Sequence, residues 1–93
     1  MGSPKDAEFL EFDEGNEAHA TAHEVSVVEL HQVFANGPRW LPNRKGRSGT
    51  YVMVGRTNGN RPIIAAVTYD EIRRAVRPIT SRQCKDHETE KWL

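Results

Sequence analysis

A single cysteine, Cys84, stands in this chain. That excludes an internal disulfide and any zinc site built on several thiolates. No apolar run approaches the roughly 20 residues needed to cross a bilayer, and the opening residues lack the basic-then-apolar layout of a secretory signal. Met1-Gly2 is followed by Asp6 where myristoylation calls for Ser or Thr. Also missing are a Ser/His/Asp order, a phosphate-cradling glycine loop, a dinucleotide fingerprint and any internal repeat. A cytoplasmic protein without a cofactor is expected. With 93 residues the chain has core enough for one small domain spanning 1–93, of which residues 1–7 read as a flexible start.

Two further scarcities depend on position. Up to Pro38 basic residues are almost missing: Lys5 stands alone against eight acids. From Arg39 to Lys85 acids are almost missing: only Asp70 and Glu71 accompany eleven basic residues, nine of them arginine. The formal net charge of zero therefore conceals an acidic first segment and a strongly basic second one. A basic stretch of this density suits a phosphate-rich partner, since each cation that neutralises a phosphate releases counterions. The competing explanation is a solvated, arginine-rich surface.

Local patterns supply a sequence of elements. Glu8 to Phe12 is apolar enough for a short strand. Asp13 is placed to cap a helix running to about His23, with Glu14 and Glu17 near its positive end. Ser26-Val-Val-Glu29 reads as a capping box, followed by Val27, Leu30, Val33 and Phe34 at helical spacing. Asn36-Gly37-Pro38 ends that helix, with Gly37 taking a left-handed position. Arg39 to Gly49 reads as a loop. Thr50 to Thr57 is a strand, Asn58-Gly59 a two-residue hairpin turn, and Ile63 to Tyr69 a strand covered on both faces. Beyond it a helix capped by Thr68 and Glu71 competes with a third strand from Arg73 to Thr80. Ser81 is placed to cap a final helix through Trp92.

Two groups of residues carry possible chemistry. His19 and His23 lie four apart, with Asn16 one turn earlier on the same helical face. A polar surface stripe, proton transfer and zinc binding compete for them. Zinc is least suited, because two helical histidines leave the ligand set incomplete and HExxH is absent. Arg56, Arg77 and Arg82 form the second group. On neighbouring strands and the last helix's first turn they would converge on a phosphate and its transition-state charge. The alternative is that Arg77 and Arg82 pair with acids such as Glu88. Cys84 reads as a buried structural thiol.

Taken in order, these residues resemble the BrnT-type toxins of bacterial type II toxin–antitoxin modules, small ribonucleases with a RelE-like fold. The similarity runs from about Phe12 to Trp92. It comprises FDEGNEAHATAHEVS (Asp13, Asn16, His19, His23, Val25), then Glu29 and VFANGP, then YVMVGRTNGNRPIIAAV, and finally RPITSR with Glu88 and Trp92. Glu24 stands where the family has glycine, Ser81 where it has alanine, Trp92 where it has tyrosine, and Ala22 where a basic residue is frequent. The resemblance implies an α+β fold: short N-terminal strand, two helices, antiparallel sheet and C-terminal helix, with residues 73–80 as strand. It implies metal-independent RNA cleavage through attack by the 2′-hydroxyl. Arg56, Arg77 and Arg82 would then bind and stabilise the phosphate, with His23 and then His19 transferring protons. Arg39, Arg44, Lys45 and Arg47 would clamp RNA without regard to sequence. The implied partner is a cognate antitoxin whose DNA-binding module meets operator DNA. A non-catalytic binding module on the same fold, or a degenerate toxin acting as co-repressor, is the alternative.

Overall fold

A computed structural model describes residues 2–46 and 49–93. They form an α+β fold whose five-stranded mixed sheet has the order β1-β5-β4-β3-β2. In chain order the elements are β1 (Phe9–Leu10), α1 (Glu17–Ala20), α2 (Val27–Ala35), β2 (Arg39–Pro42), β3 (Tyr51–Arg56), β4 (Pro62–Asp70), β5 (Ala75–Gln83) and α3 (Asp86–Trp92). β1 runs parallel to β5, and every other pairing is antiparallel.

Side chains alternate across a strand, so register assigns each residue to a face. Met53, Ile63, Ala65, Val67 and Val76 turn to one side, where they meet Leu10, Ala20, Val25, Leu30 and Val33. The two N-terminal helices cover this side. Gly55 lets α2 approach closely: a Cβ there would lie 3.0 Å from Val33 Cγ1 and 3.2 Å from Pro38 Cβ. α2 begins with the expected capping box, Ser26 Oγ accepting from the Glu29 N–H and Glu29 accepting from the Ser26 N–H, both at 3.1 Å. Beyond its C-cap Asn36, Gly37 takes φ +73°.

Residues 2–7 hold a local structure of their own. Ser3 and Asp6 cap a 3-10 turn, Pro4 is buried, and Ala7 packs on the core. Four expectations are corrected. The helix expected from Asp13 to His23 is only Glu17–Ala20: residues 14–16, where Asp13 Oδ1 accepts from the Gly15 N–H at 2.7 Å, and residues 21–23 are turns. Arg39 does not open a loop: residues 39–42 pair with β3, with Pro42 on an edge strand where its missing N–H costs least. The hairpin after β3 is not a two-residue turn. Thr57 N–H donates to Arg61 O and Asn60 takes φ +68°, so Asn58, Gly59 and Asn60 form a three-residue loop ending in a left-handed residue. Ser81 and Arg82 belong to β5 rather than to a helix start.

The divided segment after β4 is a strand. β5 contains Pro78, whose ring would have cut a helix short. The sheet accommodates it with a register shift between Ala66 and Val67, which leaves Ile79 unpaired. Buried Asn16 recovers the exposed carbonyl, donating to Pro78 O at 2.8 Å and to Glu11 O at 3.1 Å.

Candidate nucleic-acid interface

The sheet face opposite the main core carries the predicted arginines. Arg39 faces Val54, Val54 faces Ile64, and Ile64 faces Arg82. Arg56 faces Pro62, and Thr68 faces Arg77. All belong to the same alternation, so the expectation of a shared face holds for Arg56, Arg77 and Arg82. A shared phosphate does not follow for Arg77. Thr68 and Ile64 are four residues apart on β4, which places Arg77 and Arg82 about 13 Å apart along the strands. Arg39 and Arg56 are diagonal neighbours on the paired strands β2 and β3, about 7–8 Å apart.

Arg82, like Arg77, is held at two points by a carboxylate. Its Nη1 and Nη2 donate to Glu88 Oε1 and Oε2 at 2.6 and 2.8 Å. Glu88, 8% exposed, also accepts from the Lys85 N–H at 2.8 Å. The Arg82 guanidinium, ahead of that backbone bond, holds the Glu88 carboxyl at about 2. Glu88 thus draws α3 over the end of β5 and fixes the guanidinium in direction, while the Arg82 side chain keeps 42% of its exposure. Cys84 lies beside this pair. Burial, and then Glu88, push its thiol up, while Arg82 and Arg56 pull it down. Arg56 uses Nη1 to reach Asn60 O at 3.1 Å and, among the described residues, makes no ion pair.

Arg77 is engaged elsewhere. Two bonds of 2.7 Å join it to Asp13, and Glu11 stands 3.5 Å away. Arg77 first, and the Gly15 N–H after it, hold the Asp13 carboxyl at about 2. Arg73 pairs with Glu11 and Arg74 with Glu8. Arg61 meets Glu29 at 3.0 Å and also donates to Glu24 O and Gln83 Oε1, tying α2 to the ends of β4 and β5. Five of the eight described arginines are therefore in ion pairs, four of them with acids of the N-terminal segment. The charge segregation visible along the chain is largely folded against itself. Arg39, Arg44, Lys45 and Arg56 stay outside these pairs, and all four belong to β2, β3 or the segment joining them. Arg47 lies outside the described residues.

His19 and His23 are exposed, and α1 packs on the main-core face through buried Ala20, whose carbonyl accepts from Ser81 Oγ at 2.5 Å. The sheet therefore stands between the α1 layer and Arg56 and Arg82. Of the four histidines, only His87 belongs to α3, the helix that reaches Arg82, and its charge bears on Glu88. The sequence left His87 unmarked because nothing in its neighbours DHET announces which face α3 covers. Among the described residues no three of His, Cys, Asp and Glu come together as a metal site. No helix among them is long and apolar enough to cross a membrane. Compared with known protein families, with characterised proteins and with solved structures, the chain finds no match.

Proposed function

We propose that this protein is an RNA-cleaving toxin of a type II toxin–antitoxin pair, with a RelE-like fold and a cytoplasmic site of action. The observation that carries the reading is the Arg82 guanidinium, held at two points by Glu88 yet open to solvent, on the same sheet face as unpaired Arg56 and Arg39. Glu24 adds support. Its φ of +63° is the conformation glycine adopts most cheaply, and glycine is what the BrnT-type toxins carry there.

In this reading the 2′-hydroxyl oxygen attacks the adjacent phosphorus and the bond to the 5′-oxygen breaks. The products are a 2′,3′-cyclic phosphate and a 5′-hydroxyl end. Arg82 and Arg56 meet the charge that grows on the non-bridging oxygens, and a fixed guanidinium does so without reorganisation. Arg77 serves the fold through Asp13 more than it serves the phosphate. For proton transfer the resemblance points to His23 and His19, and His87, on the helix whose Glu88 holds Arg82, is compared with them. Comparing His87→Ala with His23→Ala and His19→Ala in one cleavage assay decides between them. The partner is an antitoxin whose own DNA-binding module contacts operator DNA.

The deciding experiment incubates purified protein with RNA in EDTA. Cleavage with 5′-hydroxyl ends and an inert all-deoxy substrate is expected, whereas Mg²⁺ dependence or cutting of DNA overturns the mechanism. One observation favours a non-catalytic binding module: most of the arginines are neutralised internally. That reading prevails if the wild type neither cuts RNA nor slows growth when produced without an antitoxin.

A further inference from the structure

At the β2 edge lies a groove that the cleavage reading leaves unused. It has a volume of about 530 Å³ and runs between the N-terminal 3-10 turn, the end of α2 and β2. Lys5, Phe34, Pro38, Arg39, Trp40 and Leu41 line it, and no acidic residue does. The other main hollow, near Asp6, Glu71 and Arg74, mixes acids with its one cation and offers no comparable surface for an anion.

Three features of the groove bear on its occupant. Phe34 and Trp40 stand edge to face at 6.3 Å, packed against the core yet only partly buried, so part of each ring lines the groove. Lys5 and Arg39 are exposed and, among the described residues, make no ion pair. Lys5 is the one cation in an acidic segment, and the fold delivers it to the acid-free groove. Arg39 stands at the junction. Its register places it beside Arg56 on the open face of the sheet, and it also forms the lip of the groove.

We propose that this groove is a nucleobase subsite for single-stranded nucleic acid. The base lies against Trp40 and Phe34, and Lys5 and Arg39 hold the flanking phosphates. The proposal rests on the RNA-handling reading and extends it. A strand whose backbone follows Arg56 and Arg39 is led over the β2 edge, and the next base has an aromatic platform to meet. An acidic peptide would satisfy the cations but leave the planar surface unused. A base satisfies both, because every base has a π-face.

The test uses Trp92→Phe, which leaves Trp40 as the sole indole, and short single-stranded DNA, which lacks the 2′-hydroxyl and so cannot be cut by that route. Binding should quench Trp40 emission. An abasic backbone of equal length should bind more weakly without quenching, and poly-glutamate should not quench. Trp40→Ala should weaken binding about 5- to 150-fold, the range for one stacked base. Should that variant unfold, the exposed pair Lys5→Glu and Arg39→Glu decides, since each should weaken binding and flatten its salt dependence. Absence of quenching, equal quenching by poly-glutamate, or unchanged binding in both charge reversals overturns the subsite. Because no cleavage enters this assay, a protein that binds and quenches but never cuts RNA loses only the ribonuclease reading. One that cuts without quenching loses only the groove.

Discussion

Arg82 and Glu88 show how a single pair serves both fold and site. Removing the arginine strands a carboxylate that is only 8% exposed, so Arg82→Ala should lower stability by about 1–3 kcal/mol. If Arg82 acts on the transition state, the same change should cut cleavage by about 10²–10³ while weakening RNA binding mildly. Arg82→Lys keeps the charge but loses the two-point fork, and should recover affinity more than rate. Equal recovery of rate and affinity would show that the guanidinium only attracts RNA. The acid limb of stability follows from the same residues. Glu88 and Asp13 titrate at about 2 in the fold, against 4.5 and 3.8 ordinarily. Above the ordinary values both folded and unfolded chains are ionised, and the pairs contribute in full. As pH falls, the unfolded chain takes up protons first and the contribution is lost. Unfolding free energy should therefore decline from about pH 4.5 toward 2. Glu88→Gln should flatten that limb in urea melts taken across the range.

Among the elements, α2 was the most legible, since its capping box, apolar spacing and glycine stop are all local. Ser26→Ala should cost about 1 kcal/mol by removing its cap. The turn before it holds Glu24 at φ +63°, an arrangement that costs a non-glycine residue about 1–2 kcal/mol. Glu24→Gly should thus raise stability by about 0.5–1 kcal/mol once glycine's greater unfolded freedom is set against the relief. Its carbonyl still accepts from Arg61 in either case. An unchanged or lower melting midpoint would show that the Glu24 side chain contributes more than its backbone costs. The edge strand β2 escaped the local pattern for a non-local reason. Strand pairing is a contact between distant segments, and residues 39–42 announce neither their partner nor their register.

For the whole molecule, the sorted charge becomes an internal seam. Acids near β1 and α2 lock Arg61, Arg73, Arg74 and Arg77, which leaves few cations for an external anion. With Arg39, Arg44, Lys45 and Arg56 as the contacts, log K for uncleavable single-stranded RNA should fall with log salt at a slope of about −3, using −0.7 per phosphate. Replacing Arg44 and Lys45 together by alanine should flatten it to about −1.4, the share of the two contacts that remain. A wild-type slope well beyond −5 would mean that RNA displaces the acids from their arginines.

Local pattern determined that α2 lies where it does and that β3 and β4 are strands. Each of these depends on residues within a few positions of one another. Only the tertiary structure decided which arginines remain free, that His19 and His23 lie on the main-core side of the sheet, and that Lys5 lines the same groove as Trp40. Ion pairing and the two faces of a sheet depend on register between distant segments, as in Asp13 with Arg77, 64 residues apart. A local reading contains no term for which cation an acid will meet.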